Sequence, residues 1–221
     1  LKVMTAEDPV EYEMAKVNQK SINEFMGFSN YIRSFLRQNP DTILVGEIRD
    51  NDTAEIAIKA SATGHLVFSC LHSRSAIGTI SRLRNLEVPN DNISSNLLGS
   101  IGQRLIRKIC ESCKEETSPN EEIMNLFYNK TPKSKFHHGT GCSECNETGF
   151  KGLMGVYELF FPNNEISTAI GAGVPTSEIR ELATENGFIP LVENALEKVH
   201  KGLTTLDEVS MRIGPKFPHA D

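Results

Sequence analysis

Residues Ile43 to Asp50 read ILVGEIRD, and their reading decides the fold. Ile43-Leu44-Val45 is an apolar, mostly β-branched run suited to a buried strand; it stops at Gly46, and an acid, Glu47, follows at once. Upstream, Ser29 to Gln38 places Ile32, Phe35 and Leu36 on one helical face, and Asn39-Pro40-Asp41 breaks that helix. Downstream, Asp52 or Thr53 is the expected cap of a helix with Ile56, Ala57 and Ala60 inward, ended by Gly64. His65 to Leu71 (HLVFSCL) then reads as a second buried strand. Strand, helix, strand with buried strands predicts an α/β fold, a parallel sheet covered by helices.

Two readings fit Glu47 taken alone: a strand leaving into a polar loop with Glu47 paired to Arg49, or a carboxylate delivered to a reaction site. The neighbouring segments favour the second. The strand at Leu1 to Ala6 ends in Glu7-Asp8-Pro9 with Glu11 beyond, and the strand at His65 ends in His72-Ser73-Arg74. Parallel strands place their carboxyl ends on one edge, where ligands of doubly wound folds bind. Acids, imidazole and guanidinium then converge there. Such a set suits phosphoryl transfer, in which one carboxylate holds Mg²⁺ through water, another orients the attacking water, and His or Arg neutralises charge. No Ser-His-Asp or G-x-S-x-G arrangement offers a nucleophile instead.

The chain has 221 residues and a formal charge of -6, long enough for one α/β core with an appendage and too acidic for a direct nucleic-acid partner to be expected. No apolar stretch approaches the roughly 20 residues of a membrane span, and no export address is evident, so a cytosolic protein is expected. Four of the five cysteines form two C-x-x-C pairs, Cys110 with Cys113 and Cys142 with Cys145. Each pair lets two thiolates reach one ion, and four thiolates with no open position specify a structural Zn²⁺ site. The stretch from Cys110 to Gly155 is poor in aliphatics and is expected to depend on that ion for its order. His137 and His138 are read as solvated, and Arg104, Arg107 and Lys108 as a basic stripe on a helix expected over Ile93 to Ile109. After Val156 to Phe161 (VYELFF), strand-like, the chain reads as helical, with helices over Thr176 to Asn186, Leu191 to Lys201 and from Thr205, where Thr205-x-x-Glu208 forms a capping box.

TAEDPVEYE, SFLRQNPDTILVGEIRDNDTAEIAIKASATGHLVFSCLHS, QRLIRKICESC and CSECNETGFKGLMGVYEL together resemble the secretion ATPases of the type II secretion and type IV pilus assembly family, from about Thr5 to about Val209. The resemblance implies a RecA-like P-loop NTPase core. TAEDPVE is similar to that family's Asp box, with Glu7 as water-orienting acid and Asp8 and Glu11 supporting; ILVGEIRD is similar to its Walker B, with Glu47 near Mg²⁺ and the γ-phosphate and Arg49 beside it. TGHLVFSCLHS is similar to its His box, which implies His65 and His72 near the phosphates; Arg82 or Arg84 would serve a neighbouring subunit's nucleotide, and Cys70, where the family usually has Thr, is expected to be a buried filler. No G-x-x-x-x-G-K-[ST] occurs; in the family that loop lies just upstream of the Asp box, so the chain is expected to be a piece that begins after it, inactive as an ATPase without it.

The expected organisation is a core over residues 1–109, a tetracysteine zinc module over 110–155, and a return strand with a C-terminal helical subdomain over 156–221. The implied function is that of a motor ATPase driving protein transport by type II secretion or type IV pilus assembly. It would work as a homo-oligomer, a hexamer, at the cytoplasmic face of the inner membrane against a membrane platform protein. The alternative is a non-catalytic zinc-binding interaction module of such a machine, against which stand the intact Glu7, Glu47 and His72.

Overall fold

The computed structural model describes residues 1–129, 132 and 134–214. In chain order these form β1 (Val3–Glu7), β2 (Asn18–Ser21), α1 (Phe28–Leu36), β3 (Thr42–Glu47), α2 (Asn51–Ala62), β4 (Leu66–Cys70), α3 (Gly78–Asn85), α4 (Asn90–Asn96) and β5 (Ser100–Ile109). There follow β6 (Lys114–Thr117), α5 (Glu121–Phe127), β7 (Phe136–Gly139), β8 (Phe150–Phe160), α6 (Asn164–Gly171), α7 (Thr176–Glu185), α8 (Leu191–His200) and α9 (Leu206–Arg212). The chain divides into two compact units, Leu1–Gly99 with Phe161–Leu182, and Ser100–Phe160 with Ala183–Asp221. The end of the expected 156–221 subdomain, residues 215–221, lies outside the described residues.

The first unit is built on a sheet of order β2-β1-β3-β4 in which every neighbouring pair is parallel. Ile43 and Val45 of β3 are fully buried, as are Met4 and Ala6 of β1. Alternate positions of each strand thus face helices, and α1 supplies Ile32 and Phe35 while α2 supplies Ala54, Ala57 and Ala60, small residues that let a helix approach closely. The cap of α2 is Asp50, two residues before the nearer of the expected Asp52 and Thr53: Asp50 is the last residue with extended backbone, and its carboxylate accepts the Thr53 amide at 2.8 Å. The helix closes on Gly64, whose φ of +96° lets its amide reach Ser61 O and the next amide reach Ala60 O.

The run at His65 is a strand but not a buried one. Among the described residues β4 pairs only with β3, and Leu66 and Phe68 are 40% and 53% exposed. Cys70 at its end is exposed, not a buried filler.

In the second unit the expected helix over Ile93 to Ile109 is corrected. α4 ends at Asn96, and residues 100–109 form β5, antiparallel to β8. Leu97, Leu98, Ile101, Leu105 and Ile109 fit a helical repeat, but Gly102 would cost a helix interior about 1 kcal/mol and is needed in the strand, where a Cβ would lie 2.7 Å from Glu158 Cγ. Arg104, Arg107 and Lys108 therefore lie on a strand.

The cysteine-bearing stretch is less bare than its composition suggests. It inserts β6, α5 and β7, and Met124, Phe127 and Phe136 join one core with Ile106, Val156, Ala195, Leu196, Val199, Leu206 and Val209. Helices α8 and α9 thus provide the apolar partners that the stretch lacks.

Glu208 ties α9 to β5. Its amide donates to Thr205 Oγ1, half of the expected capping box, while its carboxylate turns to Arg107, accepting Nε at 2.8 Å and the backbone amide at 3.0 Å. The carboxylate is fully buried. Burial alone would raise its pKa, but the Arg107 hydrogen bonds prevail and hold it below the ordinary carboxylate value. A depressed carboxylate stabilises the fold above its unfolded pKa of ~4.3 and loses that contribution as pH falls further. Glu208→Gln is expected to cost on the order of 2 kcal/mol at neutral pH and to flatten the decline of stability below about pH 4, as read by denaturant unfolding across pH.

Candidate functional site

The carboxyl edge of the parallel sheet gathers most of the expected residues. Register pairs Ala6 with Val45 and Glu47 with Cys70, so the ends of β1, β3 and β4 lie side by side. A bulge between Val45 and Glu47 occurs at Gly46, where a Cβ would meet Ala6 O at 3.1 Å and the Phe28 ring at 3.3 Å. Glycine there permits β1 and β3 to stay close up to the point where each delivers its acid.

Glu47 is held from both sides. Arg49 Nη2 lies 2.5 Å from Oε1 and His72 Nε2 lies 2.9 Å from Oε2, while the carboxylate itself is 15% exposed. The Arg49 hydrogen bond, with a smaller contribution from His72, outweighs desolvation and holds the Glu47 pKa below its ordinary value. Glu47 is thus an ionised carboxylate at neutral pH, with an exposed guanidinium and an exposed imidazole as exchangeable partners. Glu7, one strand over, accepts Gln19 Nε2 at 3.0 Å and the Thr5 hydroxyl. Asp8 is near enough to stabilise the Arg49 cation. Arg82 on α3 donates Nη2 to Arg49 O at 3.2 Å, and its Nε is buried with no hydrogen-bond partner among the described residues. Glu11 is exposed in the loop after β1.

Two expected residues are placed elsewhere. His65 lies before β4, at the opposite end of that strand from His72; its Nδ1 meets Ala60 O at 2.9 Å and it closes the end of α2. Arg84 donates Nε to Asn90 Oδ1 at 2.8 Å, Nη1 to Val174 O at 2.9 Å and Nη2 to Ile170 O, so its guanidinium closes the carboxyl end of α6. Sequence reasoning also missed Gln19, which orients Glu7. Its strand β2 is short and polar and gives no periodic signal.

The second cluster is Cys110, Cys113, Cys142 and Cys145, whose sulfurs all lie within 4.8 Å of one another. Each C-x-x-C pair spans a single 3-10 turn, Glu111–Cys113 and Ser143–Cys145. Cys110 Sγ is 3.9 Å from Cys142 Sγ, Cys113 Sγ 3.9 Å from Cys145 Sγ, and Cys142 Sγ 3.7 Å from Cys145 Sγ. Burial works against ionisation of Cys145, yet the amides of Cys142 and Gly149, at 3.3 and 3.2 Å, bring its thiol down to about 6. Burial, with crowding by the other thiols, pushes Cys113 up to about 12. Four sulfurs this close can all ionise only around a cation, so the donor set fits a metal ion. His137 and His138 lie on β7, and their Nδ1 atoms are buried without hydrogen-bond partners among the described residues, so they are not the solvated pair expected.

A family model described as "Type II/IV secretion system protein" matches residues 1–211. The type IV pilus assembly ATPase PilB of Thermus thermophilus is 44% identical over 213 residues, covering 94% of this chain and 24% of that protein. The type II secretion system ATPase E of Vibrio cholerae is 39% identical over 218 residues, covering 96% of this chain and 42% of that protein. Among solved structures, the pilus retraction motor PilT with bound ADP aligns with a TM-score of 0.68 at 28% identity, covering 95% of this chain and 52% of that one. The ATPase DotB of Legionella pneumophila aligns with a TM-score of 0.65 at 19% identity, covering 95% of this chain and 50% of that one, a likeness of fold. The chain spans less than half the length of these curated relatives. With a parallel α/β sheet, acids at its carboxyl edge and a match over nearly all its length, the chain belongs to the type II/IV secretion system protein family.

Proposed function

We propose that this chain carries the carboxyl-edge acids of a motor ATPase that hydrolyses ATP to drive type II secretion or type IV pilus assembly. The observation that carries the reading is Glu47: Gly46 seats it at the end of β3, Arg49 and His72 hold it ionised, and Glu7 and Asp8 stand on the adjacent strand end. Mg²⁺, when bound with nucleotide, would supply neutralisation of phosphate charge. Glu47 would hold that ion through water, Glu7 would orient the attacking water with Asp8 and Glu11 as further acids, and His72 and Arg49 would face the phosphates. Arg82, beside Arg49, is the better placed of the two α3 arginines to reach a neighbouring subunit's nucleotide, since Arg84 is committed to α6.

The rest of the reading comes from the family resemblance: a homo-oligomer, hexameric, that acts at the cytoplasmic face of the inner membrane on a platform protein of the machine. No helix among the described residues is long and apolar enough to cross a membrane, which fits a peripheral attachment. The net charge of -6 supports a partner other than nucleic acid.

Zn²⁺ is the ion proposed for the cysteines. Metal–sulfur bonds of about 2.3 Å in a tetrahedron place the sulfurs about 3.8 Å apart, and three of the pairs lie at 3.7 to 3.9 Å. Elemental analysis of protein prepared without chelator is expected to give about one zinc per chain; a disulfide-linked, metal-free protein would refute the site.

In the full-length protein, Glu47→Gln is expected to keep nucleotide affinity within a few-fold while hydrolysis falls roughly 100-fold or more. Hydrolysis at the parental rate would sink the role given to Glu47. Residues 1–221 contain no G-x-x-x-x-G-K-[ST] loop to hold phosphates, so calorimetric titration of this chain with Mg-ATP is expected to show no micromolar binding. Tight binding would mean that other residues form the phosphate site.

A further inference from the structure

We propose that the tetracysteine centre governs how firmly helix α9 is docked, with Arg107 as the positioning residue between them. The proposal rests on the reading of that centre as a metal site. Its starting point is Gly149, which both C-x-x-C pairs hold: it accepts the Cys110 amide at 3.0 Å and donates its own amide to Cys145 Sγ at 3.2 Å. Gly149 has little slack, because its φ is +73° and a Cβ there would lie 2.4 Å from Gly139 O. The next residue, Phe150, presents its ring face to the Arg107 guanidinium, with Cζ 4.0 Å from the ring centroid. The same guanidinium donates through Nε and Nη2 to Glu208 Oε2 on α9.

A second path runs through the turn that enters α9. Ile109, immediately before Cys110, donates its amide to Leu203 O at 3.0 Å, and Thr204 Oγ1 donates to Arg107 O at 2.9 Å. A Cβ at Gly202 would lie 3.2 Å from Cε of Lys114, the residue immediately after Cys113. Polar contacts to α9 and its entering turn are therefore made by Arg107 and Ile109 on the strand that leads into Cys110, and Arg107 also stacks on Phe150, next to Gly149.

Apolar packing of Leu206 and Val209 holds α9 to the core without fixing its direction. Glu208 does fix it, because its fully buried carboxylate takes its shortest ion pair from Arg107, with Arg212 of α9 itself only a longer contact at 3.4 Å. When the cysteine loops loosen, Gly149 and Phe150 shift, Arg107 loses its ring support, and α9 is released before the rest of the unit. Such coupling is reciprocal: a change at Arg107, which is not one of the sulfur ligands, weakens metal binding by the factor by which metal protects α9.

The test uses the intact protein, its zinc content measured first. Zinc affinity is read by competition with a chromogenic chelator, and hydrogen exchange of Leu206–Arg212 is followed before and after chelation in the parental protein, Arg107→Met and Glu208→Gln. Chelation is expected to speed parental α9 exchange about tenfold while α5 and α8 slow or fast by less than threefold. Arg107→Met is expected to weaken zinc about tenfold, as loss of a group supporting metal ligands does, and to leave α9 fast even with zinc bound. Glu208→Gln, which keeps the side-chain shape, shifts both readouts in the same direction. Zinc affinities within twofold of the parental value in both variants would overturn the coupling and leave the metal site standing. So would α9 remaining protected after chelation, or α5, α8 and α9 all opening together. A parental protein without zinc would instead remove the metal reading beneath the proposal.

Discussion

Between β1 and β3 the backbones approach so closely at Gly46 that a Cβ would lie 3.1 Å from Ala6 O, and the carboxyl edge is organised by that approach. A larger residue would push the strand ends apart where Glu7 and Glu47 leave the sheet. With glycine, the parallel ladder holds to its last pair, and the two acids emerge on neighbouring strands next to the end of β4. Charge then finishes what backbone geometry begins: Arg49 and His72 offset the cost of an acid that is only 15% exposed, while remaining exposed themselves and free to exchange. Such an arrangement, with acids fixed by strands and compensating groups on exposed side chains, suits a site for a cation and phosphates.

The second unit solves a different problem. Its cysteine-bearing stretch has few aliphatics, and it is held by two kinds of support: apolar side chains on α5 and β7 that share a core with α8 and α9, and close-packed thiols. The Arg107 to Glu208 bond joins these supports, since one end rests on the residue after Gly149 and the other is buried at α9. Beside the thiols, Gly139 and Gly149 approach each other backbone to backbone, so a Cβ on either would clash with the other.

The parallel sheet and its acids were legible in the sequence because an apolar strand run follows a helix end at Ile43 and again at His65, the first closing on Glu47 and the second on His72. The cysteine centre was legible from spacing alone. β5 was not, because Leu97 to Ile109 satisfies a helical repeat as well as a strand, and only pairing with β8, distant in sequence, decides between them. Arg84 and His65 show the same limit at single residues: the sequence places a cation or an imidazole near a motif, while tertiary contacts commit Arg84 to the carbonyls of α6 and His65 to the end of α2. Gln19 carried no signal because β2 is four polar residues long.

In the proposed function, strand ends place the carboxylates for hydrolysis, and Gly46→Ala in the full-length protein tests this with the smallest perturbation available. A methyl group there forces neighbouring backbone to yield by a few tenths of an ångström and leaves every acid, arginine and histidine in place. Hydrolysis is expected to fall by roughly tenfold or more, since small misplacement of reacting groups is costly, with nucleotide affinity and melting midpoint little changed. Parental hydrolysis in Gly46→Ala would contradict the claim that this approach of β1 to β3 sets the catalytic edge.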